Sequence, residues 1–207
     1  MEKKFSKSEA IRFGWEATKN NLGFFILLLL IAFPISAASS IIQKIFGDKV
    51  LSVNILSGAL NLILSTIINI GLIRIALKSC DGQKARIADL FLSGKLFLPY
   101  LIGTILYLLI VLGGLILLIV PGIIWSFKFG FFGYFMVEKG LEPSEALRRS
   151  ALITQGAKWD LFVFWLLLLL INLAGVVALF IGLFVTLPIT IIANAFVYRT
   201  LLSRVKI

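Results

Sequence analysis

The two longest apolar runs of this chain are each about twice as long as one membrane crossing requires. Residues 96–137 are 42 positions in which only Lys128 is charged, and residues 161–198 contain no charged residue. A helical crossing takes about 20 residues at a rise of about 1.5 Å per residue. Each run is therefore predicted to form a hairpin of two crossings with almost no polar connection at its far end.

The composition supports the same conclusion. The 207-residue chain is 60% hydrophobic and 14% charged, whereas soluble domains are about 45–50% apolar and about 25% charged. We predict an all-α, polytopic membrane protein that forms a single membrane domain over residues 1–207. The six predicted crossings cover residues 22–42, 51–77, 97–119, 121–137, 160–181 and 184–203, and a polar connection at 43–50 joins the first two.

Three mixed segments precede the predicted hairpins, at residues 5–21, 84–96 and 143–158. Each is predicted to be a short amphipathic helix lying in the membrane interface. The sequence Ser8-Glu9-Ala10-Ile11-Arg12 also resembles Ser144-Glu145-Ala146-Leu147-Arg148. The pattern therefore predicts three copies of one unit, an interfacial helix followed by a hairpin.

The placement of the basic residues predicts the orientation. The net charge is +10, and 17 of the 20 Lys and Arg residues fall within residues 1–21, 74–95, 139–158 and 199–206. Clusters of basic residues in alternate short loops indicate the cytoplasmic side. We therefore expect both termini in the cytoplasm of a prokaryotic plasma or inner membrane. This placement favours membrane lipids as partners, with a membrane or cytoplasmic protein as a further possibility, and argues against nucleic acid.

Lys128 is the sharpest candidate for a functional contact. It lies roughly 10 Å along its helix from Pro121, and an uncompensated Lys in mid-bilayer costs about 2.5–3.5 kcal/mol. We therefore expect it to face the bundle interior or a hydrated cavity. It either contacts an anionic lipid head or substrate, or it snorkels toward polar groups of neighbouring helices.

Two polar stripes at spacings of four residues run along otherwise apolar helices. The stripe on the second crossing is Ser57, Asn61, Ser65 and Asn69, and that on the sixth is Thr190, Asn194 and Tyr198. Such residues join helices by hydrogen bonds worth about 0.6 kcal/mol each, or they line a permeation path. A separate basic surface, formed by Arg148, Arg149 and Lys158, either anchors the protein or binds anionic headgroups or a cytoplasmic partner.

The residue types needed for catalysis are scarce. The chain has no His, one Cys (Cys80) and ten carboxylates, and no phosphate-binding loop or metal-ligand spacing is evident. We therefore predict no catalytic residues, no cofactor and no metal, and a protein that is not an enzyme.

One block of sequence resembles a widespread group of prokaryotic six-helix membrane proteins. It comprises Pro121-Gly122-Ile123-Ile124-Trp125, Lys128, Glu138, Glu145-Ala146-Leu147-Arg148-Arg149-Ser150, Gly156 and Trp159. The group includes the membrane domain fused to some glycerophosphodiester phosphodiesterases and several uncharacterised families of small membrane proteins. The resemblance implies the six-helix architecture. It implies no phosphodiesterase activity, since the catalytic domain of those enzymes is absent here.

These observations favour a non-enzymatic protein that interacts with lipid or acts as a scaffold in the plasma membrane. The alternative is a small transporter or permease subunit whose path is lined by Lys128 and the two polar stripes.

Overall fold

The computed structural model describes residues 5–46, 51–178 and 180–205, with side chains over residues 5–34, 55–178 and 180–205. These residues form helices and contain no β-strand. Five helical stretches of them are long and apolar enough to cross a membrane, and α1 with the start of α2 would make a sixth, broken at a bend of 91°. The protein is therefore all-helical, with several helices that can span a membrane.

The α-helices of the described residues are α1 (Lys7–Asn20), α2 (Leu22–Phe46), α3 (Leu51–Cys80), α4 (Phe97–Leu117), α5 (Ile119–Phe129), α6 (Phe132–Lys139), α7 (Pro143–Ile153), α8 (Lys158–Val177) and α9 (Leu183–Leu202). Most of the predicted helices are present, with ends that differ by a few residues. The predicted polar connection at 43–50 is helical to Phe46, and its remainder lies outside the described residues.

Two glycine pairs close the charge-free hairpins. A Cβ on Gly114 of α4 would lie 2.9 Å from the Cα of Gly122 in α5, and a Cβ on Gly182 would lie 2.7 Å from the Cα of Gly175 in α8. Larger residues would therefore hold the paired helices apart. This close approach explains how both hairpins turn without a polar loop.

The predicted crossing at 121–137 lies within the stretch Ile119–Lys139, which is long and apolar enough to cross a membrane. The prediction is wrong only in that the stretch is not one unbroken helix. The structure breaks it into α5 and α6 around residues 130 and 131. The break leaves the Lys128 carbonyl and the Phe131 amide to be satisfied by side chains of α7, as described below. Such outside partners are required because buried backbone polar groups must be paired.

The predicted amphipathic helix at 84–96 is also wrong. This segment forms two short 3₁₀ turns, Ile87–Leu90 and Gly94–Leu96. Gly94, the first residue of the second turn, has a φ of +39°, in a region that glycine adopts most easily. Two turns separated in this way cannot form one continuous amphipathic face.

Each of the three interfacial segments (α1, residues 84–96, and α7) packs on the second helix of a hairpin. A Cβ on Gly71 of α3 would lie 2.3 Å from the carbonyl oxygen of Leu90, and a Cβ on Gly14 of α1 would lie 2.7 Å from that of Ile189 in α9. The third segment, α7, bonds to Lys128 of α5 and to Phe131, directly before α6. Segments two and three thus pack on the hairpin that precedes them, and α1 packs on the last hairpin.

The repeat predicted from residues 8–12 and 144–148 extends into the packing. Ala10 and Ala146 are both fully buried, as are Thr18 and Thr154. Within each pair, the two residues are 136 positions apart in the sequence. The two helices therefore bury equivalent faces, although they pack on different hairpins.

The charged end of the bundle is where α3, α6 and α9 finish. Arg199 of α9 pairs with Glu138 of α6, and its guanidinium lies 2.7 Å from Asp81, directly after α3. These contacts bring the three helix ends together. We call the opposite end, which carries the two hairpin turns, the apolar end.

Candidate functional site

A groove of about 680 Å³ runs between α5 and α8. We call it the α5–α8 groove. Its apolar lining comes from Val120, Ile123, Ile124 and Phe127 of α5 and from Trp159 and Phe162 of α8. The Phe127 ring meets the Trp165 ring edge-on at 4.9 Å between centroids, which joins the two helices along the groove.

Lys158 and Trp159 lie at the charged end of this groove. Lys158 is the first residue of α8, and its side chain has no ion pair within the described part of the chain. Trp159 is 67% exposed, as expected for an indole at a membrane interface. The groove therefore combines an apolar channel with a cation and an interfacial aromatic ring at one end.

A second groove, of about 630 Å³, lies between α1 and α8 and includes Lys7 and Arg12 in its lining. We call it the α1–α8 groove. The Lys7 ammonium lies 2.5 Å from an oxygen of Asp160, and Arg12 pairs with Glu16 at 2.8 Å. The charges of this groove are therefore balanced within the protein, unlike that of Lys158.

Lys128 lies at the level of α7. Its carbonyl accepts hydrogen bonds from the hydroxyls of Ser150 and Thr154, both at 3.0 Å. Its side chain is partly exposed, with the ammonium 5.0 Å from the centroid of the Phe129 ring. Thr154 precedes Lys158 by four residues, so Lys128 and Lys158 both lie beside the turn that joins α7 to α8.

Ser150 connects both sides of the break between α5 and α6. Its hydroxyl accepts a hydrogen bond from the Phe131 amide at 3.0 Å and donates one to the Lys128 carbonyl. Sequence reasoning missed this role. The available signal was the Ser that ends the block Glu145–Ser150, the block that carries the resemblance to the six-helix group.

Arg148 and Arg149 both bond to Glu145 on α7. Their guanidinium nitrogens lie 2.7 and 2.6 Å from its carboxylate oxygens. These hydrogen bonds, that of Arg148 first, lower the pKa of Glu145 to about 2. The structure therefore separates the three predicted headgroup contacts, because two are paired on α7 and Lys158 lies at the groove.

The stripe on α9 faces two different surroundings. The Thr190 hydroxyl accepts a hydrogen bond from Asn172 of α8 at 2.8 Å, and the Asn194 side-chain oxygen accepts one from Trp165 at 3.1 Å. Tyr198 instead lies in the core, where it is fully buried. Thr190 and Asn194 thus join α8 to α9, which favours helix adhesion over the lining of a path.

The stripe on α3 runs from the interior to the surface. Ser57 is buried, Asn61 and Ser65 are partly exposed, and Asn69 is exposed. Asn69 donates to the carbonyl of Ser65 at 2.9 Å, so this bond stays within α3. The side chains of Thr190 and Asn194 therefore bond to α8, whereas the bond of Asn69 stays within α3.

The charged end is closed by a network that sequence reasoning did not find. The Tyr198 hydroxyl donates to Glu138 at 2.5 Å, and Arg199 bonds to Glu138 and Asp81. The Tyr198 ring stacks on Tyr134 at 5.1 Å between centroids. In each of these contacts the two partners are 60 or more positions apart in the sequence, so no local pattern could have paired them.

The chain is similar to three uncharacterised mycobacterial proteins. It is 27% identical to one from Mycobacterium bovis and 27% and 26% identical to two from strains of Mycobacterium tuberculosis, in each case over 131 residues. The match covers 63% of this chain and 40% of each relative, so the chain spans about two fifths of the length of these relatives. No protein family matches the chain, and no solved structure matches it.

Proposed function

We propose that this protein is a non-enzymatic integral membrane protein that binds membrane lipid at its charged end. The observation that carries the proposal is that all three interfacial segments leave apolar side chains exposed there. Trp15 of α1 is 49% exposed, Phe91 and Leu92 of the second segment are 50% and 56% exposed, and Leu152 of α7 is 42% exposed. Apolar side chains beside basic ones are suited to the boundary between headgroups and acyl chains.

The proposal includes the finer topology. The chain would cross a prokaryotic plasma membrane six times, with both termini and the charged end in the cytoplasm, as the distribution of basic residues predicts. The relation to the membrane domain of glycerophosphodiester phosphodiesterases also remains a prediction. Cysteines introduced at Ser144 and Ser203, both exposed at the charged end, should react with an impermeant thiol reagent only after the cells are opened.

Native mass spectrometry of the protein purified in a mild detergent tests the function. We expect lipid adducts that survive purification, with anionic phospholipid enriched over its share of the host membrane. Added lipid should also raise the midpoint of thermal unfolding, because a ligand that binds the folded state stabilises it. A protein that retains no lipid in any mild detergent would contradict the proposal. A protein partner retained in place of lipid would instead support the scaffold alternative.

A further inference from the structure

We infer that the α5–α8 groove is a specific site for one anionic glycerophospholipid, with an acyl chain along the groove and the phosphate beside Lys158. This inference rests on the proposed lipid binding and assigns it to one place and one lipid class. Three features of the groove support it: the shape and lining, the position against the membrane, and the uncompensated charge.

The lining suits a hydrocarbon chain. Apart from Lys158, the groove is formed by apolar side chains and by Gly156, and its volume of about 680 Å³ lies within the usual range of ligand sites, roughly 300–1,000 Å³. It opens between α8, which is long enough to span a membrane, and α5, which is the first half of the candidate span Ile119–Lys139. Acyl chains are therefore the molecules that surround this opening.

The position of the aromatic rings indicates which way the lipid lies. Trp159 is exposed at the charged end, and its ring lies 5.4 Å from that of Phe162, centroid to centroid. An indole at this place belongs at headgroup level, while Ile123 and Val120 lie further along the groove, toward the apolar end. A lipid of the leaflet at the charged end would thus enter with its chain directed away from Lys158.

The charge selects an anionic head. Lys158 is exposed and has no ion pair within the described residues, whereas the cations of the α1–α8 groove are paired with Asp160 and Glu16. Basic pockets between membrane helices bind anionic headgroups, and one Lys near the surface contributes about 1 kcal/mol. This corresponds to about a fivefold preference for an anionic over a zwitterionic lipid.

Two variants test the two halves of the site. Lys158→Gln removes the charge, and its matched control is Lys95→Gln, an exposed lysine close before the start of α4. Val120→Trp fills the groove, and its matched control is Ile116→Trp at the same hairpin turn. Val120 and Ile116 are 65% and 86% exposed, so neither substitution overpacks the core.

Binding is measured by native mass spectrometry with phosphatidylglycerol and phosphatidylcholine of identical acyl chains. The wild type should prefer phosphatidylglycerol about fivefold. Lys158→Gln should abolish most of this preference, and Val120→Trp should lower the occupancy of both lipids. Both controls should behave as the wild type, and glycerol phosphate, which has no chain, should not displace the lipid.

The outcomes separate this inference from the proposed function. If the wild type retains neither lipid, the proposed function fails. If it retains lipid but Lys158→Gln keeps the full preference, or if Val120→Trp keeps full occupancy, lipid binds elsewhere and the groove assignment is overturned. The assignment is equally overturned if Lys95→Gln loses as much preference as Lys158→Gln.

Discussion

Replacing Ser150 by Ala should destabilise the protein through the break between α5 and α6. The Ser150 hydroxyl is fully buried and lies 3.0 Å from both the Phe131 amide and the Lys128 carbonyl. The variant removes the acceptor for the Phe131 amide. The Lys128 carbonyl keeps one partner, because Thr154 also donates to it.

The burial of these groups determines how much stability the variant is expected to lose. An ordinary hydrogen bond between membrane helices contributes about 0.6 kcal/mol, whereas a buried donor left without a partner costs about 1–3 kcal/mol. The second value applies here, because Phe131 is 1% exposed and water cannot readily replace the lost acceptor. We therefore expect Ser150→Ala to lower the free energy of unfolding by about 1–3 kcal/mol.

Reversible unfolding in mixed micelles of a mild detergent and dodecyl sulfate measures this free energy. Ser144→Ala is the matched control, since Ser144 is exposed on the same helix. In the double variant Ser150→Ala, Thr154→Val the Lys128 carbonyl loses both hydroxyls, so the loss should exceed the sum of the two single losses. If Ser150→Ala were as stable as Ser144→Ala, the Ser150 hydroxyl would not stabilise the break between α5 and α6.

Two further predictions concern the other interfacial contacts. Gly71→Ala would place a Cβ 2.3 Å from the Leu90 carbonyl oxygen and should lower the free energy of unfolding by about 1–3 kcal/mol in the same assay. The control Gly58→Ala, whose Cβ would meet nothing within 4 Å, should be neutral or stabilising. Equal effects of the two variants would contradict the close packing of Gly71 on Leu90. The pKa of Glu145 is held at about 2 by Arg148 and Arg149, below its usual value, so its contribution to stability is present above about pH 4.5 and is lost as the pH falls toward 2. The midpoint of thermal unfolding of the wild type should therefore approach that of Glu145→Gln as the pH falls over this interval. If the difference between the two midpoints did not change with pH, the ion pairs of Glu145 could not be its cause.

The helices and their approximate ends could be predicted because they depend on local properties. Runs of about 20 apolar residues and the glycines near 113, 122 and 182 are readable from the sequence, and the structure contains the corresponding helices. The similarity between residues 8–12 and 144–148 also predicted two related segments, whose equivalent residues are buried alike. Each of these features needs information from only a few neighbouring positions.

The candidate site could be predicted only in part. The sequence made Lys158, Arg148 and Arg149 equivalent candidates for a headgroup contact, and the structure distinguished them by showing both arginines bonded to Glu145. Lys128 was expected to face the bundle interior or a hydrated cavity, because the sequence showed a continuous apolar helix around it. The break that places Lys128 against α7 depends on Ser150, which is more than 20 positions away in the sequence. The pattern of residues within the helix therefore could not predict the break.

That this chain is helical, apolar enough for several membrane crossings, and charged mainly between its apolar runs follows from the sequence, because burial of a helix in lipid constrains each segment separately. The assembled helices are needed to show which interfacial segment packs on which hairpin, where the fourth predicted crossing breaks, and which lysine is left unpaired beside a groove. Those outcomes depend on contacts between residues 19 to 175 positions apart, such as those of Phe131 with Ser150 and of Gly14 with Ile189. Such contacts are set by the fit of surfaces that form only when the helices assemble.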